Sequence, residues 1–158
     1  MVSVNSEIGA LQKVIIHRPD EGIARISPKK AEELLFDDIV HLPQMRTEHD
    51  VFRRVLQHLI GKENVLDTQR LIIEGFEHSP EIKEELIDKI VDYEELPQSD
   101  KLFLMSLSSD SLTKLLISGY YQDEDHIYFD PIPNFIFTRD IAIVVKDHVI
   151  ITKAAKSA

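Results

Sequence analysis

Between residues 130 and 140 the chain reads Asp130-Pro-Ile-Pro-Asn-Phe-Ile-Phe-Thr-Arg-Asp140. Pro131 and Pro133 flank Ile132 and hold the backbone extended. The β-formers that follow predict a strand over Asn134 to Thr138. A regular strand would send Asn134, Ile136, Thr138 and Asp140 to one face. In a cleft, the Asp140 carboxylate could hold a guanidinium through two parallel hydrogen bonds. Asn134 could orient a small polar group, and Phe137 could wall the pocket if a bend brings it round. The plainer alternative is an Arg139–Asp140 surface pair with an Asn at the start of a strand.

Downstream, Ile141 to Val145 pairs naturally with Val149 to Thr152 across Lys146-Asp147-His148, and just upstream His126 to Phe129 reads as a strand. From Thr68 to Gly119 nothing alternates with period two. Leu71, Ile72 and Phe76 suggest a short helix weakened by Gly75. Ser79-Pro80 opens a stronger one, with Ile82, Leu86, Ile90 and Tyr93 on one face and Pro97 at its end. Two more helices are expected, around Leu102 to Leu107 and around Leu112 to Ser118. Near the N-terminus, Val14 to His17 is a strand entering the turn Arg18-Pro19-Asp20. Ser27-Pro28 should cap a helix through Leu35, which Phe36-Asp37-Asp38 breaks. Thr47 should cap a further helix that buries Val51, Phe52, Val55, Leu56 and Leu59 and ends at Gly61 in a left-handed conformation. Val65-Leu66 would be the second strand. The pattern divides the chain into a first unit over 1–67, a helical insertion over 68–122 and a further unit over 123–158.

The 158 residues carry 18 Lys+Arg against 28 Asp+Glu, a net charge of −10, which argues against a nucleic-acid binder. With 43% hydrophobic residues, the composition is globular. The absence of cysteine excludes disulfide scaffolds, thiolate zinc sites and any thiol nucleophile from these residues. The first twenty residues have no long apolar run, so neither a signal peptide nor a membrane span is expected and the setting reads as cytoplasmic. Asp37-Asp38 near His41 could suggest a metal, but turn-forming side chains explain them more simply. His49 and His58 sit on opposite sides of their helix and cannot be joint ligands. His17, His78, His126 and His148 are single and scattered, and read as satisfied or exposed imidazoles. No glycine-rich phosphate loop or HExxH motif is present.

Four stretches, in order, resemble the N-terminal half of arginine deiminase, within the guanidine-modifying amidinotransferase superfamily. They are SEIGALQKVIIHRP at Ser6 to Pro19, ELLFDDI at Glu33 to Ile39, EHDVF at Glu48 to Phe52, and DPIPNFIFTRD at Asp130 to Asp140. A helical block between the first unit and the FTRD strand favours the deiminase branch. The pair Ile141-Ala142 departs from it, since deiminases commonly show Pro-Phe there. The resemblance implies an α/β fold, part of a pentein-type five-bladed propeller. This chain would give the first ββαβ-like blade, an inserted helical subdomain and the start of the second blade.

The resemblance also implies that Asp140 binds the substrate guanidinium, Phe137 packs on its aliphatic stem, Asn134 holds the amino-acid end and Leu35 lines the pocket mouth. Convergence of Asn134, Phe137 and Asp140 requires a bend in the strand. In the family a cysteine thiolate attacks the guanidinium carbon, ammonia leaves, and water releases citrulline, with a His as acid and base and with no metal or cofactor. That Cys, the His with its Asp, and the Glu lie in the family's second half. The expectation is therefore an N-terminal fragment of a longer enzyme, inactive alone, binding arginine or a related guanidino compound, and self-associating through an open sheet edge. The alternatives are amidino transfer, methylarginine hydrolysis, or a non-catalytic guanidino-compound binder or interaction protein.

Overall fold

The structure is a computed structural model that describes residues 4–6, 8–26, 41–139 and 142–151. The helix expected after Ser27-Pro28, the Asp37-Asp38 turn, Leu35 and Asp140 all lie outside the described residues. What is described is a mixed α/β chain in which small sheets alternate with helices.

Strand β1 (Val14–Ile16) runs into the turn at Pro19 and a one-turn helix α1 (Glu21–Ala24), capped by the Asp20 carboxylate on the Gly22 amide. Helix α2 (Leu42–Ile60) leads through Gly61 to β2 (Val65–Asp67), which pairs parallel with β1 in the register Val14↔Val65. Gly61 takes φ 89 with ψ 150, so its φ is positive but the conformation is not the left-handed helical one expected there.

Helix α2 corrects two expectations. It begins one and a half turns before Thr47, whose hydroxyl donates back to the Pro43 carbonyl instead of capping. The stripe Val51, Phe52, Val55 and Leu59 is exposed, with Leu59 70% accessible. The inward side is set by the first turn, where Leu42 is buried and Met45 packs on Ile23 and Ile26. A two-bonded clasp from Arg18 Nε and Nη2 to Asp50 (2.9 and 2.8 Å) fixes the helix rotation further along.

Four helices follow: α3 (Thr68–His78), α4 (Pro80–Tyr93), α5 (Gln98–Ser106) and α6 (Ser109–Ser118). Their shared core is Phe76, Ile87, Leu104, Leu107, Leu112, Leu115 and Leu116. Ser79-Pro80 opens α4 as expected, but the helix buries Ile87 and leaves Ile82 and Tyr93 exposed. Neighbours on both sides of α4 pull Ile87 inward, and a face drawn from periodicity alone is displaced by that packing. Helix α6 ends at Gly119 in the left-handed conformation, φ 69, where its amide closes on the Leu115 carbonyl at 2.7 Å.

Strand β3 (Tyr120–Tyr121) pairs antiparallel with β4 (His126–Ile127), so the strand expected over His126 to Phe129 is shorter than the sequence suggested. Tyr128 and Phe129 instead donate backbone hydrogen bonds to Gly119. The hairpin β5 (Ala142–Val145) and β6 (His148–Ile151) pairs as expected, tied to the N-terminal segment by two Val4–Lys146 backbone bonds of 2.9 Å. Every residue of β6 is exposed. With the outer stripe of α2, this leaves two broad apolar surfaces open.

Candidate functional site

Residues 134–138 do not form a strand. Pro133–Ile136 is a turn of 3-10 helix, with Pro133 buried at its start and Phe137 closing it at φ −85, ψ 65. Pro133 presets φ for a helical first residue, and that local preference outweighs the β-propensity of Phe135 and Ile136. A bend is therefore present between Asn134 and Phe137, while Asp140, the third residue of the expected convergence, lies outside the described residues. Asn134 is half-buried and Phe137 is 46% exposed at the end of the turn.

The turn is held from below at three points. Thr138 donates its hydroxyl to the Ile15 carbonyl of β1 at 3.0 Å. The Ile132 amide donates to the Ile117 carbonyl of α6 at 2.9 Å. Phe135 meets the ring of His17 edge to face, with centroids 4.8 Å apart.

His17 is 2% exposed, and its Nε2 lies 3.1 Å from the Asp20 carboxylate. Facing a carboxylate, Nε2 is the donor of this pair, and Nδ1 is buried with no hydrogen-bond partner among the described residues. Asp20 accepts three further-reaching bonds: the His17 ring, the Gly22 amide at 2.9 Å and Gln69 Nε2 at 2.7 Å. Burial alone would push the Asp20 carboxyl up, but the bonds from His17, Gly22 and Gln69 outweigh it and hold the group below the usual carboxylate range. Thr68, beside Gln69, donates to the Ile16 carbonyl at 2.8 Å, so α3 is tied to β1 by Thr68 and to the start of α1 by Gln69.

On the other side of Asp20 lies a cleft of about 670 Å³ between α1 and the α6–β3 corner. Arg18, Arg25, Arg46 and Lys114 contribute positive charge to it, and Asp20, Glu21 and Asp123 negative charge. The His17–Asp20–Gln69 cluster and this cleft escaped the sequence reading. The one local signal was the His-x-x-Asp spacing ahead of a helix start; Gln69 and Tyr120 come from distant segments and give none. Among the described residues no group of three or more His, Asp and Glu side chains is arranged to hold a metal ion, and no helix is long and apolar enough to cross a membrane.

Comparison with known proteins is informative along nearly the whole chain. The sequence profile of the family described as arginine deiminase matches residues 32–158. An arginine deiminase of Bacillus cereus (strain B4264) is 34% identical over 178 aligned positions, covering 99% of this chain and 43% of that protein. One from Listeria innocua is 33% identical, again over 99% of this chain and 43% of the relative. The chain thus spans less than half the length of these relatives.

Proposed function

The chain belongs to the arginine deiminase family, and from that premise we propose that it forms the substrate-cradling N-terminal part of an enzyme that hydrolyses the guanidinium of arginine to citrulline and ammonia. In this reading Asp140 grips the guanidinium, Phe137 packs on the aliphatic stem, Asn134 holds the amino-acid end and Leu35 lines the mouth. All four fall within the matched residues 32–158. The units over 1–67 and 123–158 are the first blade and the start of the second blade of a five-bladed propeller, with 68–122 as its helical insertion.

The observation that carries the reading is the turn at Pro133–Ile136. A straight strand would point Phe137 away from Asn134, whereas a 3-10 turn brings residues three apart onto one side. The half-exposed Phe137 ring then offers an apolar wall for an alkyl stem.

Catalysis needs a nucleophile that these cysteine-free 158 residues do not contain. The thiolate, with its acid–base His, belongs to the share of the relatives' length that this chain does not span. The chain's own contribution is positional: it holds the cation by charge and presents the face of the planar guanidinium carbon to the nucleophile. Titration with arginine tests this. The Asp140→Asn variant is expected to bind at least about tenfold more weakly than the parent chain, because a charge-assisted pair is lost. Equal affinities would remove Asp140 from the site. Citrulline release by the 158-residue chain alone above background would remove the thiolate requirement.

A further inference from the structure

Asn134 and Phe137 stand at the two ends of one closed turn, since the Phe137 amide donates to the Asn134 carbonyl at 3.0 Å. The two residues between them are half-buried, and each rests on a different support. Phe135 meets the His17 ring edge to face, with centroids 4.8 Å apart. Ile136 packs on Ile23 of α1 and on Ile26 just beyond it. The other anchors, from Ile132 to Ile117 and from Thr138 to Ile15, lie outside this span and hold its flanks.

Both supports lead back to Asp20. Its Oδ1 accepts the Gly22 amide at 2.9 Å and so starts α1 beneath Ile136. Its Oδ2 accepts from the His17 ring at 3.1 Å and from Gln69 at 2.7 Å. Imidazole χ2 has no sharp rotamer of its own, so this bond and the packing round a ring only 2% exposed fix how it meets Phe135. A turn that shifted by about 1 Å would lose any hydrogen bond made from its end.

We propose that His17, oriented by Asp20, is a positioning residue that sets where Asn134 and Phe137 stand relative to each other. Through them it sets the preference of the site for a guanidino compound with an alkyl stem and an amino-acid end over a bare guanidinium. This rests on the reading in which Phe137 takes the stem and Asn134 the amino-acid end. His17 acts through Phe135 and touches no ligand itself.

Calorimetric titration of the 158-residue chain with L-arginine and, separately, with methylguanidine tests the assignment, because methylguanidine carries the cation without the stem or the amino-acid end. His17→Leu should weaken arginine binding about tenfold and leave methylguanidine within about twofold of the parent. His17→Phe, which keeps a ring against Phe135, should recover most of the arginine affinity. Asp20→Ser keeps a capping oxygen for α1 but has no second oxygen for His17 and Gln69, so it should shift the two affinities as His17→Leu does. It decides the question should His17→Leu fail to match the parent by circular dichroism. Unchanged arginine affinity in these variants would overturn the proposal, as would equal weakening of both ligands, which marks a general loosening of the fold. A parent chain that binds no arginine would overturn the cradle and this proposal with it, whereas a parent that binds while the variants bind equally well overturns this proposal alone.

Discussion

Replacement of Gly119 by alanine should be among the most damaging single-methyl additions to this chain. Gly119 has φ 69, and a left-handed alanine costs about 1–2 kcal/mol. Its new Cβ would also collide with the Phe129 carbonyl oxygen, a backbone atom that cannot rotate away. Relief requires the 128–130 segment to retreat, which breaks the 2.8 Å bond from the Tyr128 amide to the Gly119 carbonyl and removes about 1 kcal/mol more. The total is about 2–3 kcal/mol, or roughly 4–12 °C in Tm for a domain of this size. Gly75, inside α3, is the internal control. A Cβ there meets nothing within 4 Å, so Gly75→Ala should stabilise by about 0.5–1 kcal/mol through helix propensity. Urea unfolding of both variants reads the two signs directly. A Gly119→Ala loss below about 1 kcal/mol, or a Gly75→Ala change of the same sign, would refute the reasoning.

Leu112 in α6 is 0% exposed at the centre of the helical core, so Leu112→Ala should lower the urea-derived stability by about 2–5 kcal/mol. Asp20 supplies the pH dependence: its folded-state carboxyl is held low, so its stabilising contribution is complete above the ordinary carboxylate range and is lost as pH falls through the depressed value. Asp20→Asn should be less stable than the parent at pH 7 and lose less further stability between pH 5 and pH 3, as read by Tm against pH.

The parts of the fold that were legible in the sequence are those whose signals are local. Ser79-Pro80 marks the start of α4, Gly119 marks the end of α6, and the alternation around Lys146-Asp147 marks the last hairpin. The errors share a cause, since each arose where a distant contact overrules a local pattern. Helix α2 presents its most regular apolar stripe outward because Leu42, Met45 and the Arg18–Asp50 clasp set its rotation. Phe135 and Ile136 have strand propensity, yet Pro133 and the anchors on Ile15, Ile117 and His17 curl them into a turn. Of the four substrate-site residues drawn from the family resemblance, Asn134 and Phe137 lie at that turn, and Leu35 and Asp140 lie outside the described residues. His17 looked solitary because its partners, Asp20 apart, come from sequence positions 69 and 135 through Asp20 and direct ring contact.

The parallel pairing of β1 with β2 joins residues 14 and 65, closing a loop of about fifty residues for a ladder only three residues long. Closure of such a loop costs about 3.5 kcal/mol beyond a constant, whereas successive helices from α3 to α5 meet their neighbours after short connections. The expected folding order is that the helical block consolidates first and the β1–β2 ladder closes late against it through the Thr68–Ile16 bond. In the native chain the same asymmetry makes that ladder an early point of local opening. Ile15 and His17, which hold the turn bearing Asn134 and Phe137, sit on or beside that ladder. The geometry of the turn therefore rests on the last contact to form, and any molecule that clamps β1 to α3 stiffens it from outside.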